Sequence, residues 1–181
     1  MNLPSWNLKE FYPSFRDKSI IDDLKLLENK TLDFAKKYKE KLDGLKDNKL
    51  LFTLQSFEEI EELSLKLRSY AYLVYCTDQL SNEKSKFYQN IEEAVLKAQK
   101  NIIFYGIELN KLKKDKISIF KKTKYKSWIE NHKKFEKFQK SEKEEMILTE
   151  KSVTSSSAWI RFFDQTMTRL RFRLDGKDYT E

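Results

Sequence analysis

From residue 14 to residue 181 the chain contains no proline, because both prolines, Pro4 and Pro13, sit at the start. Only three glycines occur, Gly44, Gly106 and Gly176. Sheet proteins need turn punctuation every 8–12 residues or so, and proline and glycine supply most of it. Without it, the bulk of the chain must form long helices. The fold class expected is mainly α: an antiparallel bundle of about six or seven helices, with a short β-hairpin at the C-terminus. At 181 residues, 39% of them hydrophobic, the chain is long enough to bury a core of its own.

Apolar spacing divides this bundle. Ile20, Leu24, Leu27, Thr31, Phe34, Tyr38 and Leu42 recur at three- and four-residue steps, which predicts one amphipathic helix, with Gly44 placed to end it. Ser56-x-x-Glu59 reads as a capping box that opens the next helix. The second half of that helix, SYAYLVYC (69–76), is apolar on most sides and is expected to be the most buried stretch. LSNEKS (80–85) breaks the pattern. A third helix then carries Phe87, Ile91, Ala94, Val95, Ala98, Ile102, Tyr105 and Leu109 on one face. Residues 113–122 read as a short helix, and 123–138 as another with Tyr125, Trp128, His132 and Phe135 on one stripe. Ser141-x-x-Glu144 is a second capping box, opening a helix to about Lys151. TSSS (154–157) breaks it, and SAWIRFFDQTMTRL makes the last helix. In front of all this, Trp6, Phe11 and Tyr12 are expected to pack an irregular lead-in onto the body.

The ending, RFRLDGKDYTE (171–181), changes period. Phe172 and Leu174 alternate with Arg171 and Arg173, the pattern of a half-buried strand, and Asp175-Gly176 suits a two-residue hairpin turn. The expected organisation is thus a single unit over 1–181: lead-in 1–18, long-helix bundle 19–110, shorter helices 111–170 and hairpin 171–181.

Charge is unevenly placed. The net charge is +7; residues 1–90 hold 15 basic and 15 acidic side chains, and residues 91–181 hold 21 and 14. The densest part is 111–143, with 13 Lys against Asp115, Glu130, Glu136 and Glu142, a net +9. A patch of this kind suits nucleic acid or anionic lipid, and equally a solvated helix face. The aromatics at 125, 128 and 135 share a helical stripe with His132, which assigns them to the core rather than to base stacking. Neither a specific nucleic-acid partner nor a membrane partner is therefore expected. No stretch approaches the ~18 consecutive apolar residues of a membrane span. The first residues lack the basic and apolar regions of a signal peptide. One cysteine, Cys76, allows no internal disulfide. Together these give a cytoplasmic expectation.

Catalytic chemistry is scarce. A zinc site needs three or four ligands from His, Cys and carboxylates, and this chain has one histidine, His132, and one cysteine. Both lie on apolar stripes and are expected to be packed inside. The acidic runs Glu58-Glu59, Glu61-Glu62 and Glu142, Glu144, Glu145 are expected in first helical turns, where they favour the macrodipole. No catalytic, cofactor-binding or metal-ligating residue is assigned. Arginine usage stands out instead: four of six Arg fall at 161, 169, 171 and 173. Arg presents a rigid fork for carboxylates. Arg161 and Asp164 are spaced for an i,i+3 pair, and Arg171 and Arg173 are expected to share one hairpin face, free to meet acidic groups from elsewhere. Phe162, Phe163 and Met167 cover too broad an arc for one neighbour, so self-association through residues after about 155, as a homodimer, is also expected.

Four stretches carry a family resemblance. LTEKSVTSSSAWIRFFDQTMTRLRFRLDGKDYT (148–180) resembles the segment of oligoendopeptidase F proteins that leads into their catalytic domain, through E-K-S-x-T-x-x-S-A-W-x-R-x-F-D-x-T-M and a short hairpin. WNLKEFYPS (6–14), LRSYAYLVYCTDQLSNEKSKFYQNIEE (67–93) and FYGIELNKL (104–112) resemble other family segments, in the family's order. One departure is Ser155, where the family often has Gly. The resemblance implies the amino-terminal, non-catalytic lobe of a cytoplasmic zinc metalloendopeptidase of the thimet type. Its zinc would be held by an HExxH motif and a downstream Glu in a catalytic domain that these residues do not include. That domain and an oligopeptide substrate are the implied partners. The lobe would wall the peptide channel and restrict substrate size, with Trp159, Arg161, Arg171 and Arg173 as candidate channel or interdomain contacts. The alternative is a free-standing basic helical binding or adaptor module.

Overall fold

The computed structural model describes residues 6–179, so the first five residues of the lead-in, and Thr180 and Glu181 of the hairpin, lie outside it. Eight α-helices and one two-stranded antiparallel hairpin are present among the described residues. The mainly helical fold ending in a short hairpin is as the sequence requires.

Helix α1 (Lys18–Tyr38) starts where the Asp17 side chain accepts the Ser19 backbone N–H at 2.9 Å. It buries Ile20, Leu27, Thr31 and Phe34. It ends before Gly44. The chain leaves the helix through Glu40, whose φ of 62° is left-handed, a strain of about 1 kcal/mol or more for a residue with a Cβ. The Glu40 N–H donates to Glu108 Oε1 at 2.6 Å, which helps hold that turn. Gly44 instead closes a 3-10 turn, Leu42–Gly44.

Helix α2 (Asp47–Cys76) is the longest, at 30 residues, and corrects the reading of its start. Ser56 and Glu59 lie inside it, because Leu50, Thr53 and Leu54 continue the buried stripe upstream without a breaker. Glu58, Glu59, Glu61 and Glu62 are consequently mid-helix, not in a first turn. SYAYLVYC is only half enclosed: Tyr70, Ala71, Val74 and Tyr75 are buried, while Tyr72 and Cys76 are exposed. The interior place expected for Cys76 is thus wrong.

Ser81 caps α3 (Asn82–Gln99) through the Lys84 N–H. The single third helix expected to reach Leu109 is broken: a 3-10 turn, Lys100–Ile102, separates α3 from α4 (Ile103–Lys111). α5 (Lys114–Lys121) and α6 (Lys126–Lys134) follow, then a 3-10 turn, Glu136–Phe138. The stripe read over 123–138 is only partly inside. Tyr125 and Ile129 are buried, His132 is half-buried, and Phe135 is 67% exposed. α7 (Glu142–Thr154) opens with the complete Ser141–Glu144 capping box, with Glu142, Glu144 and Glu145 in its first turn. α8 (Ser156–Arg169) then leads to β1 (Phe172–Leu174) and β2 (Lys177–Tyr179).

The core is the packing of α1, α2 and α3 on one another, extended by α4 and the turn before it. Its centre is Tyr105, fully buried, whose ring meets Phe34 edge-on at 5.1 Å and stacks on Phe57 at 4.8 Å. The Tyr105 hydroxyl lies 2.9 Å from Thr53 Oγ1, which itself donates to the Leu50 carbonyl, so Tyr105 is the donor between them. Burial pushes the Tyr105 phenol well above its ordinary range. Arg68 on α2 grips Glu92 on α3 with two bonds, 2.7 and 3.1 Å. The lead-in is anchored chiefly by Tyr12, which is buried in the core and donates to Asp23 Oδ2 at 2.7 Å, and also by Phe11 against Tyr70, Phe15 against Phe87 and the Arg16–Glu83 ion pair. Burial would raise the Asp23 carboxyl, but the bonds from Tyr12 and Lys66 outweigh it and hold the group below its usual range. Trp6, expected to pack on the body, is 71% exposed.

Candidate interaction surface

Helix α8 is packed the wrong way round for a globular helix. Ser157, Ala158, Arg161, Asp164, Gln165 and Thr168 are half-buried and lie at helical spacing on one face. That face turns towards the body: Gln165 donates to Ser85 Oγ at 3.3 Å, and Thr168 donates to Gln79 Oε1. The opposite face carries Trp159, Ile160, Phe162 and Phe163, all exposed, with Leu170 exposed just past the helix; Met167, expected on the same surface, is half-buried. An amphipathic helix ordinarily buries its apolar stripe; this one presents it to solvent. None of the residues of α7 or α8 is buried, and every residue of β1 and β2 is exposed.

The hairpin extends the same surface. Phe172 pairs with Tyr179, Arg173 with Asp178 and Leu174 with Lys177. Its turn is formed by Asp175 at φ 50° and Gly176 at φ 78°, the two left-handed residues that match the twist of the flanking strands. Phe172, Leu174 and Tyr179 are exposed. Together with the α8 stripe they expose roughly 800 Å² of apolar side chain in total, taking ordinary side-chain areas.

The four residues singled out by sequence are not brought together. Trp159 is 70% exposed on the outward face, edge-on to Phe162 at 6.0 Å. Arg161 lies on the inward face, and its Nη1 is buried without a hydrogen-bond partner. The expected Arg161–Asp164 pair is not among the salt bridges of the described residues. Arg171 immediately precedes strand β1. Its Nη1 donates to the carbonyls of Thr168 and Leu170 at 2.9 and 2.8 Å, closing the C-terminus of α8. Arg173 stands opposite Asp178. Beneath α8 the Tyr75 hydroxyl is likewise buried and unpartnered, and burial, followed by the Asp164 charge, pushes it up to about 12.

Nor do the residues present make a zinc site. His132 Nε2 faces the Gly106 carbonyl at 3.0 Å and therefore carries the proton, while its ring stacks on Trp128 at 5.2 Å and 4°. A Cβ at Gly106 would come 3.0 Å from His132 Cε1, so the ring would have to shift by a few tenths of an ångström to admit one. No group of three or more His, Cys, Asp or Glu side chains among the described residues could hold a metal ion. No described helix is long and apolar enough to cross a membrane.

A family model for the amino-terminal region of peptidase M3 proteins, described as oligopeptidase F, matches residues 108–172. That span runs from the last turn of α4 through α8 to the first residue of β1. It covers little more than a third of the chain. The match supports an M3-family peptidase amino-terminal region. It takes in SAWIRFFDQTM and the end of FYGIELNKL, and it does not reach WNLKEFYPS or residues 67–93. No curated protein and no solved structure matches the chain.

Proposed function

We infer that this chain is the non-catalytic, amino-terminal helical lobe of an oligoendopeptidase-like zinc metallopeptidase that hydrolyses oligopeptides in the cytoplasm. The lobe walls one side of the peptide channel and limits substrate size. The outward face of α8 and the hairpin form the seat of the catalytic domain, which supplies the zinc and all the chemistry. The observation that carries this reading is the family match over 108–172, which ends at the strand that begins the exposed hairpin.

The inverted packing of α8 supports it. A helix held to the body by a few polar contacts, with three large aromatics outward, is stabilised when a second apolar surface covers it. A hairpin of three-residue strands is marginal alone and gains from joining a larger sheet. Trp159 and Phe162 then contact the catalytic domain, while Arg161 and Arg171 act within the lobe.

The test is to read the gene past codon 181 and express the chain with whatever follows. The expected result is an in-frame HExxH and chelator-sensitive cleavage of an internally quenched oligopeptide, with folded proteins left intact. A gene without that motif, and no chelator-sensitive cleavage restored by any neighbouring gene product, would overturn the reading.

A further inference from the structure

Residues 111–143 form a knob: α5 and α6 pack on each other, and α5 packs on α2. It is joined to the body by Ile117, Phe120 and Ile129, all buried, and by Tyr125, which donates to Glu58 at 2.6 Å. Its 13 basic residues are all Lys. Three are committed: Lys124 to Glu58, Lys133 to Glu136, and Lys116 to the carbonyls of Asp43 and Leu45. The other ten have no carboxylate partner among the described residues. Two of the four acidic side chains are already neutralised, Glu136 by Lys133 and Glu142 by Lys39. The knob is therefore a dense cation.

It also carries aromatics the helical stripe does not explain. Phe135 and Phe138 are 67% and 63% exposed, one at the C-cap of α6 and one at the end of the following 3-10 turn. Lys134 and Lys137 flank them, and the Lys137 ammonium lies 4.9 Å from the Phe138 ring centre. Stacked helices would bury such rings; here nothing covers them.

We propose that this knob docks on an anionic lipid surface, with Phe135 and Phe138 entering the headgroup boundary and the uncommitted lysines facing the charged lipids. Three observations favour that occupant over nucleic acid. The charge is carried wholly by Lys, diffuse point charges suited to a charged plane, with no Arg fork for phosphates or base edges. The exposed rings sit at a helix end and a turn, whereas single-stranded nucleic acid needs a basic groove lined with stacking platforms. The groove that does border the knob, between Lys39, Lys111 and Lys140, is also lined by Glu40, Glu108 and Glu142, which repel a polyanion. Attachment to such a surface strengthens with buried apolar area and with electrostatic attraction to anionic lipids together, and the knob offers both. The proposal does not rest on the peptidase reading: it uses the end of α6 and the turn after it, not α8 and the hairpin.

The test is co-sedimentation of the full chain with vesicles of phosphatidylcholine alone and of phosphatidylcholine mixed with phosphatidylserine, beside a fluorescent single-stranded and a duplex oligonucleotide. Binding is expected to the mixed vesicles only, and to weaken as salt shortens the screening length. Phe135→Ala with Phe138→Ala should weaken it by roughly tenfold, since two partly inserted rings are withdrawn, and both positions are too exposed to affect folding. Lys134→Glu with Lys137→Glu should weaken it at low salt and much less at high salt. Equal binding to both vesicles, no binding, indifference to the aromatic pair, or tighter, aromatic-dependent binding to an oligonucleotide would each overturn the proposal.

Discussion

Replacing Phe162 with Glu tests whether the outward face of α8 is a docking face. Phe162 is 62% exposed, so a ring of ~200 Å² presents ~120 Å², worth at most ~3 kcal/mol if wholly covered at ~25 cal/mol per Å². Alone in solution, the chain has one ready cover for this face, a second copy of itself. A two-fold contact counts each substitution twice, giving a ceiling of ~6 kcal/mol. If half of that is realised, the dimer weakens by on the order of a hundredfold. The fold, by contrast, should change by less than ~0.5 kcal/mol, because the side chain touches little of its own chain. Sedimentation velocity over a concentration series, with urea unfolding in parallel, reads both numbers. The unsubstituted chain should self-associate and Phe162→Glu should move it to monomer with unchanged unfolding. A clean monomer at high concentration for the unsubstituted chain, with the hairpin ordered, would refute the reasoning. So would a variant that unfolds.

Further outcomes follow from other sites. Tyr75→Phe removes a buried hydroxyl that has no partner, so urea unfolding should show no loss and up to ~1 kcal/mol of gain. Because the folded phenol is raised, its contribution to stability is complete below the ordinary tyrosine value of about 10 and is lost as pH rises towards about 12. Tyr75→Phe should flatten that alkaline fall. Glu92→Ala breaks the two-bond grip on Arg68. Glu92 is 5% exposed, but the Arg68 side chain is 40% exposed and can turn to water. The loss should therefore be about 1–3 kcal/mol, below the ~3–5 kcal/mol of a fully buried pair. After chelator washing, the chain alone should hold no stoichiometric zinc and leave a quenched oligopeptide intact. Chelator-sensitive turnover by the chain alone would refute the non-catalytic assignment.

What could be read from the sequence was local. The stripe of α1, the capping box of α7 and the Asp175-Gly176 turn are short-range patterns whose partners lie within a few residues, and each has its counterpart in the structure. Ser56-x-x-Glu59 misled because a capping box and a mid-helix Ser and Glu have the same spacing. What distinguishes them is whether the upstream residues are also helical, and Leu50, Thr53 and Leu54 are. The positions of Cys76, Phe135 and Trp6 were misread for another reason. Period shows which residues share a face, not whether a neighbouring layer reaches that far. The candidate site follows the same rule. SAWIRFFDQTM announces an amphipathic helix and draws attention to Trp159 and Arg161. Only the packing reveals that the polar side faces inward.

That no described residue from α7 onward is buried also bears on how the molecule breathes. Cooperative opening costs the contacts it breaks, and residues 142–179 have comparatively few to break: the packing of α7 on α3 and α4 with its ion pairs to Lys39 and Lys100, and from α8 the polar bonds to Ser85 and Gln79. The three-helix core can stay shut while this segment swings away, so the chain comprises two foldons of unequal depth. Amide protons of α8 should then exchange in the earliest class and those of α2 around Tyr70 in the last. A protease should nick first near Ser155–Ser157, releasing the hairpin end and leaving the core closed.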